Sequence, residues 1–191
     1  MAKKRVSKKA AKRGGKKTAT KAKRGSAAKK ARARKVAAIP ADYGAVTVHL
    51  VVHDGAAAME FYKNAFGAKE RQRMVAPDGA LLHGEIKVGG SMVMLGAEMP
   101  GVTKSPKTLG GSGAVIHLYV KNADKVFARA VEAGATVLRP LADQFWGDRY
   151  GQVVDPFGHT WSIATHIEDV RPKEMARRAT ASFAQGSPAA G

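Results

Sequence analysis

Two stretches of the chain repeat the same order of hydrophobic and polar positions. The first, HLVVHDGAAAMEFYKNAFGA, begins at His49, and the second, HLYVKNADKVFARAVEAGA, begins at His117. Each combines an apolar run typical of a β-strand, a turn with Asp or Asn, and a segment with apolar positions at helical spacing. The helices are expected to end at Gly67 and Gly134, because glycine readily adopts the left-handed conformation that follows many helices.

Three strand-like segments follow each helical segment, separated by Gly, Pro and Asp residues that favour turns. They span 68–75, 81–88 and 91–96 in the first half, and 136–140, 149–154 and 159–166 in the second. The chain therefore predicts two tandem βαβββ modules, at about 45–97 and 114–166, joined by a Gly/Ser/Pro-rich linker over 98–113. The predicted fold class is α+β, with a curved mixed sheet around a cavity.

The last two strands enclose a turn that the sequence specifies residue by residue. Asp155 suits the first position of a type I turn, Pro156 the second and Gly158 the fourth. We expect this turn, together with the packed Trp161, to serve folding. The aromatic loop before it, residues 145–150, is expected to face a ligand.

Strand alternation separates the positions that pack under the helices from those that face the cavity. The candidate ligand-binding residues selected in this way are His49, His83, Glu85, Met94, His117, Tyr119, Trp146, Arg149, Tyr150 and Ser162. Buried imidazoles and carboxylates lower the stability of a fold unless they are paired. Their concentration on one face of the sheet therefore indicates a function other than folding. Polar anchors among methionines are typical of a small-molecule pocket.

Several of these residues have a purely structural alternative. His49 and His117 suit hydrogen-bonded pocket histidines, and His83 with Glu85 suits an ion pair on a strand face. Arg149 is placed to clamp an anionic ligand group, or to form a salt bridge with Asp148 or Asp155. Trp146 either lines a ligand site or closes the cavity.

Positive charge is concentrated at the N-terminus. Residues 1–38 hold 17 of the 33 Lys and Arg residues and no acid, which leaves 16 basic residues against all 15 acids elsewhere. This arm, taken as 1–41, is expected to be disordered because it has too few large apolar residues to offset its ordering entropy. Its composition resembles the tails of histone-H1-like proteins, which implies non-specific nucleic-acid binding by counterion release. A solubility tail and a targeting signal are the alternatives.

The basic residues selected for nucleic-acid contact are Lys3, Lys4, Arg5, Lys8, Lys9, Lys16, Lys17, Lys29, Lys30, Arg32, Arg34 and Lys35. The chain of 191 residues contains no cysteine, which excludes disulfides and Cys-ligated metals. It also has no apolar run long enough for a membrane span, and residues 1–38 lack the apolar segment that a secretory signal would need, so we expect none. We expect a cytoplasmic protein, nucleoid-associated if the arm binds DNA, with a domain over 42–178 and a flexible tail over 179–191.

The duplicated pattern, with FYKNAFGA in the first helix and DPFGHTW before the last strand, resembles the vicinal oxygen chelate superfamily. This superfamily includes glyoxalases, bleomycin-resistance proteins and extradiol dioxygenases, and the similarity is strongest to its PhnB-like branch. It covers about residues 45–178. The resemblance implies a small-molecule cavity and a homodimer, but it implies no single reaction, because one fold hosts many chemistries.

The resemblance also implies where metal ligands would lie in metal-dependent members. The matching positions here are Thr47, Met94, Val115 and Ser162, none of which is a good ligand for a divalent cation. No cofactor is therefore expected. A divalent metal remains the alternative, at a shifted site built from His49, His117 and Glu85.

Three functional hypotheses follow. The first is a metal-free protein that binds a small molecule and sequesters a toxic compound or antibiotic, as bleomycin-resistance proteins do. The second is a metal-dependent lyase or dioxygenase of the glyoxalase type that uses the shifted site. The third is a nucleoid-associated protein tethered to DNA by its arm.

Overall fold

Both predicted modules are present in the structure, a computed structural model that describes residues 36–184. The first module comprises β1 (Val48–Val52), α1 (Gly55–Phe66), β2 (Lys69–Val75), β3 (Leu81–Val88) and β4 (Ser91–Ala97). The second comprises β5 (Val115–Tyr119), α3 (Ala123–Glu132), β6 (Thr136–Asp143), β7 (Asp148–Val154) and β8 (Thr160–His166). The α+β class and the tandem βαβββ arrangement are therefore confirmed.

Two further helices lie outside the modules. The linker contains α2 (Pro106–Leu109), and α4 (Pro172–Ala184) follows β8, extending past residue 178 where we placed the end of the domain. Within the described range, no helix is long and apolar enough to cross a membrane. The nucleic-acid contacts predicted for residues 1–35 lie outside the described residues.

The strands form two four-stranded sheets with matching topology. Their orders are β1-β4-β3-β2 and β5-β8-β7-β6, and in each the first strand is parallel to the last one of its module. The other neighbours are antiparallel. The expected single curved sheet is thus divided at β1 and β5, each of which hydrogen-bonds to only one strand among residues 36–184.

The two module helices, α1 and α3, both begin at a side-chain cap that the repeat places at the same point. Asp54 accepts a hydrogen bond from the Ala57 amide at 2.9 Å, and Asn122 accepts one from the Lys125 amide at 2.8 Å. Such caps satisfy backbone donors that the first turn of a helix leaves free. Gly67 ends α1 in the left-handed conformation, with φ of 66°, as predicted.

The two modules share one hydrophobic core. The ring of Phe66 in α1 lies 4.5 Å from that of Trp161 in β8, and Tyr62 lies 5.6 Å from the same indole. Tyr62 and Trp161 are almost fully buried, and burying such side chains contributes about 1.5–3 kcal/mol each. The predicted core position of Trp161 is therefore part of the contact that joins the modules.

Candidate functional site

Strand register places polar side chains of the two modules in matching rows. His49 pairs with Met94, Met94 with Glu85, and Glu85 with Gln72 across β1, β4, β3 and β2. The equivalent row in the second module consists of His117, Ser162, Gln152 and Arg139. Because alternate residues such as Leu50 and Ile86 pack in the core, both rows lie on the sheet face opposite the helices. We call this the open face.

Titratable side chains are in contact on the open face of the first module. His83 Nε2 lies 3.1 Å from Glu85 Oε1, and the rings of His49 and His83 are perpendicular at 6.3 Å. A β-carbon at Gly96 would lie only 2.9 Å from His49 Nε2, so this glycine makes room for the imidazole. Hydrogen bonding from Tyr43 and then from His83 lowers the pKa of the Glu85 carboxyl.

Two histidines of the sheets are expected to titrate on opposite sides of the ordinary value of 6.5. Burial, and then the charge of His83, lowers the pKa of His49, whereas hydrogen bonds to Asp169 and Asp148 raise the pKa of His166. Because the unfolded chain takes up a proton on His49 more readily than the folded protein does, this residue lowers the free energy of unfolding as the pH falls below 6.5. His166 adds stability at low pH that is lost as the pH rises through its folded pKa. Imidazole proton shifts followed by NMR should give a higher midpoint for His166 than for His49; the reverse order would contradict these environments.

The second module carries an aromatic cluster on its open face. The ring of His117 lies 4.5 Å from that of Tyr119 and 5.9 Å from that of Tyr150. The Tyr150 hydroxyl and Ser162 Oγ share a hydrogen bond at 2.9 Å, and Gln152 Nε2 donates a second one to Ser162 Oγ at 3.3 Å. Ser162 is therefore held by its neighbours and is only 1% exposed.

A buried carboxylate organises the loop beside this cluster. Asp148 is 3% exposed and accepts hydrogen bonds from the Tyr119 hydroxyl at 2.9 Å and from Trp146 Nε1 at 3.1 Å. His166 Nδ1 lies 2.8 Å from the other carboxylate oxygen of Asp148. Sequence reasoning considered Asp148 only as a partner for Arg149. Its two-residue spacing from Tyr150 was the available signal, because it puts both on one strand face.

The position of Arg149 differs from the sequence prediction. Its Nε and Nη2 donate to the two carboxylate oxygens of Asp124 at 2.8 and 2.6 Å, and Nη1 donates to Asp143 at 2.9 Å. These contacts raise the pKa of the guanidinium above its ordinary value. Because Arg149 lies between two open-face residues of β7, its side chain points to the helix side. It is therefore not included in the candidate site.

A cavity of about 620 Å³ lies between the facing edges of β1 and β5. His49 and His117 both line it, together with Lys104 of the linker and His159. His159 Nε2 lies 3.0 Å from the Val51 carbonyl oxygen and so joins the modules beside the cavity. The apolar part of the lining includes Val48, Leu50, Leu109, Val115 and Ile116. We call this the seam cavity.

The residues at the four positions implied for a metal do not fit a divalent cation. Thr47, Met94 and Val115 offer no imidazole or carboxylate, and the Ser162 hydroxyl is already hydrogen-bonded. Within residues 36–184, no three His, Asp or Glu side chains converge in a way that would hold an ion. The alternative set of His49, His117 and Glu85 is among those that do not converge.

Comparison with known proteins agrees with this architecture. Uncharacterized protein Rv0887c of Mycobacterium tuberculosis is 46% identical over 135 residues, which cover 69% of this chain and 79% of that protein. The X-ray structure of the Arabidopsis thaliana gene product At5g48480 is 32% identical, with a TM-score of 0.54, and covers 64% of this chain and 98% of its own. The crystal structure of TioX from Micromonospora sp. ML1 is 29% identical, with a TM-score of 0.52, over 65% of this chain and 100% of that one.

A family model also matches the chain. The sequence model of the Glyoxalase/Bleomycin resistance protein/Dioxygenase superfamily matches residues 44–163, which cover the first module, the linker and the second module as far as the middle of β8. The duplicated βαβββ fold and this match together show that the chain belongs to the Glyoxalase/Bleomycin resistance protein/Dioxygenase superfamily.

Proposed function

We propose that the protein binds a small organic molecule between its two modules and sequesters it without using the family's metal chemistry. The observation that carries this proposal is that His49 and His117, at equivalent positions of the repeat, line the same seam cavity. Two imidazoles in one cavity offer hydrogen bonds to a polar ligand group. Sequestration requires only a complementary surface, so this function is compatible with a donor set that does not fit a metal.

The size and lining of the seam cavity support this proposal. Its volume of about 620 Å³ falls within the roughly 300–1,000 Å³ typical of ligand pockets. Most of its wall is apolar, while Lys104 and the histidines supply a few polar contacts. No described residue that lines it carries a negative charge. An apolar molecule with an acidic group is therefore the chemistry that the seam cavity favours.

A fluorescent probe with that chemistry provides the test. We expect 8-anilinonaphthalene-1-sulfonate to bind the purified protein. His117→Ala should weaken binding about tenfold, because it removes a hydrogen bond from the imidazole to the charged sulfonate. His53→Ala is the matched control, since His53 lies outside the seam cavity and should leave the affinity unchanged. Elemental analysis of the same samples should find divalent metal far below one ion per chain.

Two results would contradict this function. One is unchanged probe affinity in His117→Ala while the variant remains folded. The other is one equivalent of bound metal whose chelation abolishes the turnover of a substrate, which would favour the enzyme hypothesis. The proposed homodimer stays a prediction that a solution mass measurement would decide, and so does nucleic-acid binding by residues 1–35.

A further inference from the structure

A second cavity, of about 520 Å³, lies on the open face of the first module. Glu85 and Met94 form its floor, and the segment immediately before β1 forms its roof. The roof residues that line it are Ala38, Ile39, Pro40, Tyr43, Gly44 and Ala45. We call residues 38–45 the clasp. Part of the clasp, 38–41, had been assigned to the disordered arm.

Ion pairs hold the clasp against the sheet. Asp42 accepts a hydrogen bond from Lys87 Nζ at 2.9 Å through one carboxylate oxygen, and from Arg71 Nη2 at 3.0 Å through the other. Asp42 also has a φ of 76°, a left-handed conformation that is uncommon for residues other than glycine. The paired contacts to β2 and β3 hold the backbone in this conformation, so the clasp is anchored to the module.

The charge of the cavity is negative. Among the described residues that line it, Glu85 alone is charged, and its lowered pKa keeps it ionised at neutral pH. Of the nearby basic side chains, Lys87 and Arg71 are paired with Asp42, and His83 Nε2 lies 3.1 Å from Glu85 Oε1. Burial raises the pKa of Tyr43 to about 12, so its hydroxyl stays protonated. That hydroxyl lies beside Glu85 and is shielded from solvent.

We propose that this cavity binds a small organic cation, such as a protonated primary amine attached to an apolar group. The ammonium would pair with Glu85, since a partly buried carboxylate gains most from a charged hydrogen-bond donor. The apolar group would lie against Ile39, Pro40 and the polarisable side chain of Met94. This cation site is separate from the seam cavity and goes beyond the proposed function.

The second module provides an internal comparison. The residue equivalent to Glu85 in its row is Gln152, a neutral amide that hydrogen-bonds to Ser162. At this position of the row, the negative charge is therefore confined to the first module. Glu85→Gln installs in the first module the side chain that the repeat already carries in the second, which makes it a conservative test.

The experiment compares three probes of similar shape on the full chain: 2-phenylethylamine, 2-phenylethanol and 3-phenylpropionate. Binding is followed through the methyl resonances of 13C-methyl-methionine, where Met94 reports on the cavity. We expect the amine to bind about tenfold more tightly than the alcohol, and the carboxylate more weakly than either. Glu85→Gln should remove this preference and Glu85→Asp should retain part of it. Glu132→Gln, the same change of charge on an exposed residue of α3, should leave it intact.

Equal affinities for amine and alcohol in the wild-type protein would overturn the proposal, as would tighter binding of the carboxylate. So would an amine preference that persists in Glu85→Gln. Should Glu85→Gln fail to fold, the wild-type ratio of amine to alcohol affinity and the Glu85→Asp variant still decide. The fluorescent sulfonate tests the seam cavity independently, so failure here leaves the proposed function standing.

Discussion

Replacement of Asp155 by alanine is expected to lower the free energy of unfolding by about 4 kcal/mol, because several buried donors would lose their acceptor at once. The Asp155 carboxylate accepts hydrogen bonds from the Tyr62 hydroxyl at 2.8 Å and from Trp161 Nε1 at 2.9 Å. It also accepts from the backbone amides of Phe157 and His159, both at 2.9 Å. The residue that starts the DPFG turn thus also connects β8 to α1 of the other module.

Urea denaturation followed by circular dichroism measures this loss. Asp78→Ala is the control, because Asp78 is an exposed turn residue that accepts one bond, from the Ala80 amide, and should cost less than about 1 kcal/mol. Tyr62→Phe, which removes one donor and keeps the ring, should cost about 1–2 kcal/mol. A cost below about 1 kcal/mol for Asp155→Ala would show that the network does not hold the modules together.

Asp148→Ala is expected to cost about 2 kcal/mol, less than the loss at Asp155, because two of its three partners are exposed enough to bond to water instead. Tyr119 and His166 are the exposed partners, at 59% and, for the His166 side chain, 51%. Trp146 would lose the acceptor of its indole N–H. The fluorescence of Trp146 should therefore shift to longer wavelength, while the 1% exposed Trp161 should keep its emission.

Asp169→Ala is the matched control for this prediction. Asp169 binds the other ring nitrogen of His166, at 3.0 Å, but its side chain is fully exposed. We expect a stability change below about 0.5 kcal/mol and no change in Trp146 emission. Equal effects of the two substitutions would mean that Asp148 does not organise the aromatic loop.

The local features of the fold could be predicted because they depend on neighbouring residues in the sequence. The repeat starting at His49 and His117 determined both modules, and the turn at Asp155 followed from the position of Pro156 and Gly158. Strand alternation also selected His49, Glu85, Met94, His117 and Ser162 of the open-face rows, but not Gln72, Gln152 or Arg139. Each of these signals depends on residues that are close together in the sequence. The structure has both modules and the turn at the predicted positions.

Other features depend on contacts between distant residues and had no local signal. The hydrogen bond from Tyr62 to Asp155 spans 93 positions, and the clasp attaches through Asp42 to Lys87, 45 positions away. The helix α2 is a single short turn in a segment whose composition favours loops. For Arg149, the alternative of a salt bridge was the better one, but its partners are Asp124 and Asp143 and not Asp148 or Asp155, because the alternation of β7 directs its side chain away from the face of Tyr150.

The matched rows have an evolutionary consequence. A chain that carries both halves of a duplicated unit can mutate one copy and retain the other, so Glu85 and Gln152, or Met94 and Ser162, were free to diverge. An assembly of two identical single-unit chains would have acquired each such substitution twice, once on each side of its axis. Fusion of the copies therefore allows one gene to present two unlike open faces on a repeated scaffold.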